Sequence, residues 1–267
     1  MPPAKKTAVC IGKEPEQESA MYQKNYRIAD CVIAICSLYQ TVHAYCAGYE
    51  TDEPAEFSVV IAPEDIVYER EKCAQEYRLE QLPPPHFSEE VLETTAVYRK
   101  IAEQLIDRDR LVFHGSVVAA DGQAYLFTAK SGTGKSTHTR LWRELLGERA
   151  VMVNDDKPIL HVGADHITAY GTPYNGKHRL GSNIAVPLKA VCILERADQN
   201  RITRIGKSEA YAMLLQQSYR PQKPAQLAKA LHLIDELAEK TALYRLHCNM
   251  DLSAAELSYQ TMKGTAL

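Results

Sequence analysis

A chain of 267 residues, 45% hydrophobic and 24% charged, suits one large or two small globular domains. Lys+Arg 31 against Asp+Glu 34 leaves a formal charge of −3, so no overall basic field holds a polyanion and a nucleic-acid-binding protein is not expected. No apolar run reaches the roughly 20 residues that cross a bilayer, and no signal-peptide-like stretch follows Met1-Pro2-Pro3-Ala4-Lys5-Lys6; a cytoplasmic protein without membrane contact is expected.

Residues 1–22 are polar and rich in Lys, Glu and Gln, and read as a flexible tail. Residues 23–85 read as a small N-terminal α+β domain. In it Arg27–Ile35 forms one strand and Phe57–Ile61 another, after the turn-like Thr51-Asp52-Glu53-Pro54. A helix starts at Pro63, where Glu64 and Asp65 crowd the first turn and suit the dipole. The seven cysteines, Cys10, Cys31, Cys36, Cys46, Cys73, Cys192 and Cys248, are odd in number and contain no C-x-x-C pair, so packed, reduced thiols are expected.

Leu82-Pro83-Pro84-Pro85-His86 can neither continue a helix nor donate to a ladder and marks a linker, with a catalytic domain over 86–267. Ser88 can cap a helix whose apolar positions Val91, Leu92, Val97, Ile101, Leu105 and Ile106 face the sheet that follows. Leu111–Ala119 and Gln123–Thr128 then read as strands of a hairpin, because Asp121-Gly122 supplies the two positive-φ positions of its turn. The second strand runs into Ala129-Lys130-Ser131-Gly132-Thr133-Gly134-Lys135-Ser136-Thr137, and a helix from His138 to Leu146 ends at Gly147.

Strand, glycine loop and helix in that order suit a phosphate loop. Gly132 and Gly134 keep side chains away while backbone N–H groups of Ser131, Thr133 and Thr137 and their neighbours converge on phosphate oxygens. Lys135 reaches the β- and γ-phosphates, and the Ser136 hydroxyl is placed for Mg²⁺. The pattern G-x-x-x-x-G-K-[ST] is broken only at Ala129. The cofactors expected are therefore ATP and Mg²⁺.

Ala150–Asn154 reads as a short apolar strand that ends in Asp155-Asp156. Beside a phosphate loop, a strand end points its last side chains into the same crevice. One of the two acids, Asp155 or Asp156, then holds Mg²⁺, directly or through water, while the other accepts a proton from an attacking hydroxyl; taken alone, the pair would only open a turn before Lys157-Pro158. His114, on the strand paired with the one entering the loop, either stabilises transferred charge or is a hydrogen-bonded core histidine.

His114-Gly115, Ser131–Thr137 and Asn154-Asp155-Asp156, in this order, resemble the signature of the bacterial HPr kinase/phosphorylase catalytic domain. The loop is also similar to that of ATP-dependent phosphoenolpyruvate carboxykinases. The resemblance covers about Leu111 to Glu195 firmly and implies an α/β P-loop domain with a mixed sheet. It implies phosphate binding by Gly132, Gly134 and Lys135, Mg²⁺ binding by Ser136, a proton-accepting Asp156 and a catalytic His114. Ala129 departs from the family's glycine, and the family's later metal-binding Glu has no clear match, which puts phosphorolysis in doubt.

Tyr170–Asn183 carries three glycines and the cluster Lys177-His178-Arg179; it suits either a loop that clamps an anionic substrate or a long hairpin with a solvated basic tip. Pro187–Leu194 and Ala242–Cys248 read as strands, Ser208–Ser218 and Ala225–Lys240 as amphipathic helices, and Asp251 or Ser253 caps a last helix. Arg220, in the break between the two amphipathic helices, is either a charge stabiliser, as the resemblance implies, or an exposed helix-end arginine. The function expected is an ATP- and Mg²⁺-dependent kinase acting on a hydroxyl, first Ser or Thr of a protein or peptide. The alternatives are a small-molecule alcohol as acceptor, or a non-catalytic ATP-binding regulator. A carboxykinase-like reaction is disfavoured at this length, and a homo-oligomer is compatible with the reading.

Overall fold

A computed structural model describes residues 21–79, 81–176 and 178–264. Most of the tail assigned to 1–22, together with Cys10 and Lys177, lies outside the described residues. The chain is a mixed α/β protein with a curled nine-stranded sheet and a separate three-stranded one.

The small sheet runs β1 (Tyr22–Ile28), β2 (Cys31–Ser37), β3 (Phe57–Val60). The single strand expected over 27–35 is in fact the heart of a hairpin. Ala29 (φ 51°) and Asp30 (φ 59°) form a two-residue left-handed turn, and neither is the glycine or asparagine that announces one. Asp30 is held from outside, its Oδ2 accepting the Tyr170 hydroxyl at 2.5 Å. A short helix α1 (Thr41–Tyr45) follows β2, and α2 (Pro63–Leu79) follows β3.

Beyond the proline-rich segment, α3 (Glu89–Ile106) packs against the sheet that follows, as expected, and against the small sheet as well. Leu92, Ala96, Val97, Ile101 and Leu105 share one core with Tyr26, Ile28, Ile33 and Ile35, and with Val112, Ile159 and Tyr170 of the large sheet. One hydrophobic core therefore crosses the 85/86 position. Ser88 stands at the helix N-cap in extended conformation without a side-chain cap bond, and Val91 is exposed. Largely buried ion pairs of Arg99 with Asp65 and Glu69 tie α2 to α3, and Arg99 also pairs with Glu103 within α3.

The large sheet contains β4 (Arg110–Val112), β5 (Ser116–Ala120), β6 (Gln123–Thr128), β7 (Ala150–Asn154), β8 (Ile159–Val162), β9 (Ile167–Tyr170), β10 (Ala185–Arg196), β11 (Arg201–Arg204) and β12 (Ala242–Cys248). Its order is β4-β8-β9-β10-β6-β5-β7, with β12 also pairing β10 and β11. β10 lies parallel to both β6 and β12 and antiparallel to β9, so it joins all branches of the sheet.

The centre of this sheet is covered on both faces, and its strands read as unbroken apolar runs for that reason. Along β6, Ala124 and Leu126 enter one core while Tyr125 and Phe127 enter the other. The first core is closed by α5 (Lys207–Gln217) and α6 (Pro224–Lys240), through Leu214, Leu233, Ile234 and Leu237. The second is closed by α4 (Lys135–Leu146) and α7 (Leu252–Lys263), through Leu141, Trp142, Tyr259 and Met262.

The strand expected over Leu111–Ala119 breaks at Phe113-His114-Gly115. β4 pairs with β8, β5 pairs with β6, and the three intervening amides donate elsewhere: Phe113 to the carbonyl of Pro158 (3.1 Å), His114 to that of Gln217 (2.7 Å) and Gly115 to that of Asp156 (3.0 Å). His114 thus leaves the ladder and turns toward the acid pair. Tyr170–Asn183 is in outline the connection of a long hairpin: Tyr170 pairs with Ala185 and the Gly171 N–H donates to the Ile184 carbonyl at 3.0 Å, so antiparallel β9 and β10 are joined through an irregular segment in which Gly171 to Tyr174 are buried and His178 and Arg179 are exposed.

Candidate functional site

Four segments converge on one cleft of about 440 Å³. It is lined by His114, by Ser131, Gly132, Gly134, Lys135, Ser136 and Thr137, by Asp155 and Asp156, and by Gly176 and His178. Ala129, at the end of β6, is fully buried, and the chain leaves the sheet there into the glycine loop. Gly132 (φ 74°) and Gly134 (φ 123°) bend the loop into conformations that a side chain would strain. α4 then opens at Lys135, three residues before the expected His138, so the loop amides and the helix N-terminus face the cleft together. Lys135 Nζ donates to the Ala129 carbonyl at 3.3 Å, and burial lowers its pKa.

The acid pair is built by β7 and the turn that ends it. Asn154 is fully buried and organises that turn, its Oδ1 accepting the N–H of Asp156 (2.9 Å) and of Lys157 (2.6 Å) while its Nδ2 donates to Thr172 Oγ1 (3.0 Å). The two carboxylates therefore differ. Asp155 is buried and its Oδ1 accepts the Gly176 N–H at 2.6 Å, whereas Asp156 is half-buried between His114 Nε2 (3.4 Å) and Lys157 Nζ (3.1 Å). Burial, with Lys157 and Lys135 nearby, pushes the His114 imidazole down to about 4, against the pull of Asp156 and a hydrogen bond with Gln217. At neutral pH it is an uncharged hydrogen-bonding group rather than the cation that would stabilise transferred charge directly.

Thr133 turns away from this cleft, into a second cavity of about 620 Å³ on the other side of the loop, lined among others by Leu141, Leu194, Arg196 and Met250. Arg196, at the end of β10, grips the loop from there: its Nε donates to the Thr133 carbonyl (3.1 Å) and its Nη2 to that of Gly132. His178 lines the first cleft and Arg179 a separate cavity beside it. Arg220 is exposed and lines none of these, although the helix that precedes it, α5, supplies the Gln217 carbonyl that receives the His114 amide. Lys157, Gln217 and Arg196 are contributions that the motifs did not announce. Only Lys157, next to the acid pair, had a local signal.

Among the described residues no cluster of three His, Cys, Asp or Glu side chains could hold a metal on its own. Ser136 and Asp155 do line the same cleft, which is the donor set of a Mg²⁺ ion that takes its remaining ligands from phosphates and water.

The family model described as SynChlorMet cassette protein ScmC matches residues 85–251, more than half of the chain. The chain belongs to this family. The match takes in the glycine loop, the acid pair and both cavities flanking the loop, and leaves out the small sheet. No curated protein matches the chain. The solved structure of the Hpr(Ser) kinase/phosphatase from Coxiella burnetii is 10% identical, covering 57% of this chain and 99% of that one with a TM-score of 0.31. At that level of likeness the chemistry of the ScmC-family site rests on its own geometry.

Proposed function

We propose that this ScmC-family protein is an ATP- and Mg²⁺-dependent phosphotransferase that moves the γ-phosphoryl group to a hydroxyl. One observation carries the reading: the glycine loop with Lys135 forms one wall of a cleft whose other wall holds Asp156. The ordered resemblance of His114-Gly115, Ser131–Thr137 and Asn154–Asp156 to the HPr kinase signature supports the same chemistry.

In this reading the loop amides and Lys135 bind the β- and γ-phosphates, and the cavity lined by Leu141, Leu194 and Met250 takes the nucleoside. Mg²⁺, held by Ser136 and Asp155 together with the phosphates, would neutralise charge on the phosphate oxygens. The acceptor oxygen bonds to the γ-phosphorus, the bond to the β,γ-bridging oxygen breaks, ADP leaves, and Asp156 takes the acceptor proton. Lys157 and neutral His114 fix the carboxylate of Asp156 from two sides. A Ser or Thr side chain of a protein satisfies this chemistry. So does a small alcohol, a reading favoured by the compact cavity beside the cleft.

The test is transfer from γ-labelled ATP into the protein and small-molecule fractions of a lysate. Asp156→Asn is expected to keep nucleotide affinity while losing about 10²- to 10⁴-fold in transfer. Lys135→Ala is expected to lose nucleotide affinity in calorimetry. Wild-type transfer by Asp156→Asn removes Asp156 from the chemistry, and unchanged affinity in Lys135→Ala overturns the reading of the loop.

A further inference from the structure

Arg196, the last residue of β10, holds the glycine loop from the side away from the acid pair. It lines the cavity of about 620 Å³ together with Thr133, and neither residue lines the cleft that holds Lys135, Asp155 and Asp156. Gly132 and Gly134 line both, so the loop is the wall between the two cavities. The hydrogen bonds of Arg196 go to main chain: Nε donates to the Thr133 carbonyl at 3.1 Å and Nη2 to the Gly132 carbonyl. Its neighbour Glu195 is engaged by Arg245 (3.0 Å) and His247 (3.5 Å), and among the described residues no carboxylate lies in ion-pair range of Arg196.

The two glycines make such a hold necessary. Gly132 (φ 74°) and Gly134 (φ 123°) occupy conformations that glycine alone adopts without strain, and a flanking glycine lets a whole peptide unit turn over at little cost. A unit that turns over exchanges the direction of its carbonyl with that of its N–H, since the two point opposite ways across a trans bond, and no cis bond occurs among the described residues. In the unit between Gly132 and Thr133 both ends are tied. Arg196 takes its carbonyl, and its N–H donates to the Lys130 carbonyl at 3.3 Å. In the next unit, between Thr133 and Gly134, the carbonyl is tied to Arg196 Nε, while the N–H, which belongs to Gly134, has no carbonyl partner among the described residues. That N–H therefore points away from Arg196. Gly134 stands at the N-cap of α4, where open amides and the helix dipole favour an anion.

We propose that Arg196 is a positioning residue for phosphate: by holding two successive carbonyls on its own side of the loop with one planar fork, it keeps the Gly134 N–H aimed across the loop at the phosphate cleft. The proposal rests on the reading of the glycine loop as a phosphate site and adds to it a residue from a remote strand that acts through the loop. Lysine is a poor substitute, because an ammonium is a point donor without the rigid fork.

The probe is inorganic tripolyphosphate, which carries the phosphates without the nucleoside and so makes no use of the cavity that Arg196 lines. In calorimetry without metal the full chain is expected to bind it, Arg196→Met to bind it at least about tenfold more weakly, and Arg196→Lys to fall between the two. Urea unfolding midpoints of all three are expected to agree, since the side chain is exposed; a loss of affinity that only follows a loss of stability overturns the proposal. By NMR, tripolyphosphate is expected to move the Gly134 amide proton downfield in wild type and not in Arg196→Met. Full affinity in Arg196→Met, or a wild-type Gly134 amide indifferent to bound tripolyphosphate, overturns the role of Arg196 and leaves the phosphate site standing. Wild type that binds no tripolyphosphate overturns the reading of the loop, and the proposal with it. Should Arg196→Met not fold, the Gly134 resonance and the scalar coupling from Arg196 Nε to the Thr133 carbonyl carbon, both measured on wild type, still decide.

Discussion

Asp156 has an imidazole 3.4 Å away on one side and an ammonium 3.1 Å away on the other, so the charges of Asp156 and Lys157 both act on His114. Burial is the largest influence on His114, followed by the cations Lys157 and Lys135, with Asp156 opposing them. Two variants therefore shift it in opposite directions. Lys157→Met raises the His114 pKa above its wild-type value near 4, and Asp156→Asn lowers it further. Titration of the imidazole carbon-bound protons by NMR reads both shifts, and a wild-type His114 titrating near its ordinary value contradicts the geometry. Glycine positions give a second contrast. At Gly134 (φ 123°) a Cβ meets nothing, so Gly134→Ala costs only backbone strain, about 1–3 kcal/mol. At Gly171 a Cβ would stand 1.8 Å from the Ser182 carbonyl oxygen, and Gly171→Ala should cost about 3 kcal/mol or more by undoing the packing of the loop. Urea unfolding midpoints measure the difference.

At the scale of elements, α4 and α7 are joined by a buried polar knot. Ser258 Oγ takes the Trp142 Nε1 proton at 2.8 Å and meets His138 Nε2 at 3.0 Å, while burial pushes His138 down to about 4. The unfolded chain binds a proton at His138 near its ordinary 6.5, so between about 6.5 and 4 it holds more protons than the folded one, and stability falls as the pH falls through that window. This imidazole accounts for a loss of about 3 kcal/mol between neutrality and pH 4. His138→Asn, uncharged throughout, should lose less over the same range, with the single tryptophan as fluorescence reporter. Ser258→Ala strands two buried polar groups and should cost about 1–3 kcal/mol.

Elements with long periodic or unbroken apolar patterns were legible in the sequence. Ala242–Cys248 forms a strand over those residues, and the helices read over 208–218 and 225–240 differ from α5 and α6 by one residue at their ends. β8, β9 and β11 have four residues each, too few to show a period. The turn at Ala29-Asp30 lacks the residues that normally mark one, because Tyr170 fixes it from the other sheet. The loop and the acid pair were legible because their chemistry is local. Gln217 and Arg196 reach the site only through folding. Nor does local sequence reveal that His114 sits in a break rather than in a strand, since that break follows from β4 pairing with the remote β8.

In the whole molecule, the core that joins Ile28, Ile33 and Ile35 to Leu92, Val97, Ile101 and Ile159 makes the small sheet and the large one interdependent. A chain of residues 86–267 alone would leave the apolar face of α3 open to water, and is expected to show lost near-ultraviolet dichroism and to aggregate, while the full chain unfolds in one transition. Coincidence of tryptophan fluorescence with hydrogen exchange in β1 and β2 tests this. Two separate transitions would show that the sheets fold independently.

β10 has a consequence for how this molecule comes into being. On the ribosome the chain emerges from its N-terminus, so β6 and its glycine loop leave the tunnel long before Ala185–Arg196, and earlier still than Ala242–Cys248. Until then β6 has β5 on one side only, and its other edge, Ala124–Thr128, is bare and apolar, the kind of edge that recruits another nascent chain. Arg196, which steadies the Gly132 and Thr133 carbonyls, arrives on the same late strand. The glycine loop therefore gains the support of Arg196 only after β10 has emerged, and until then the β6 edge is open to pairing with another nascent chain.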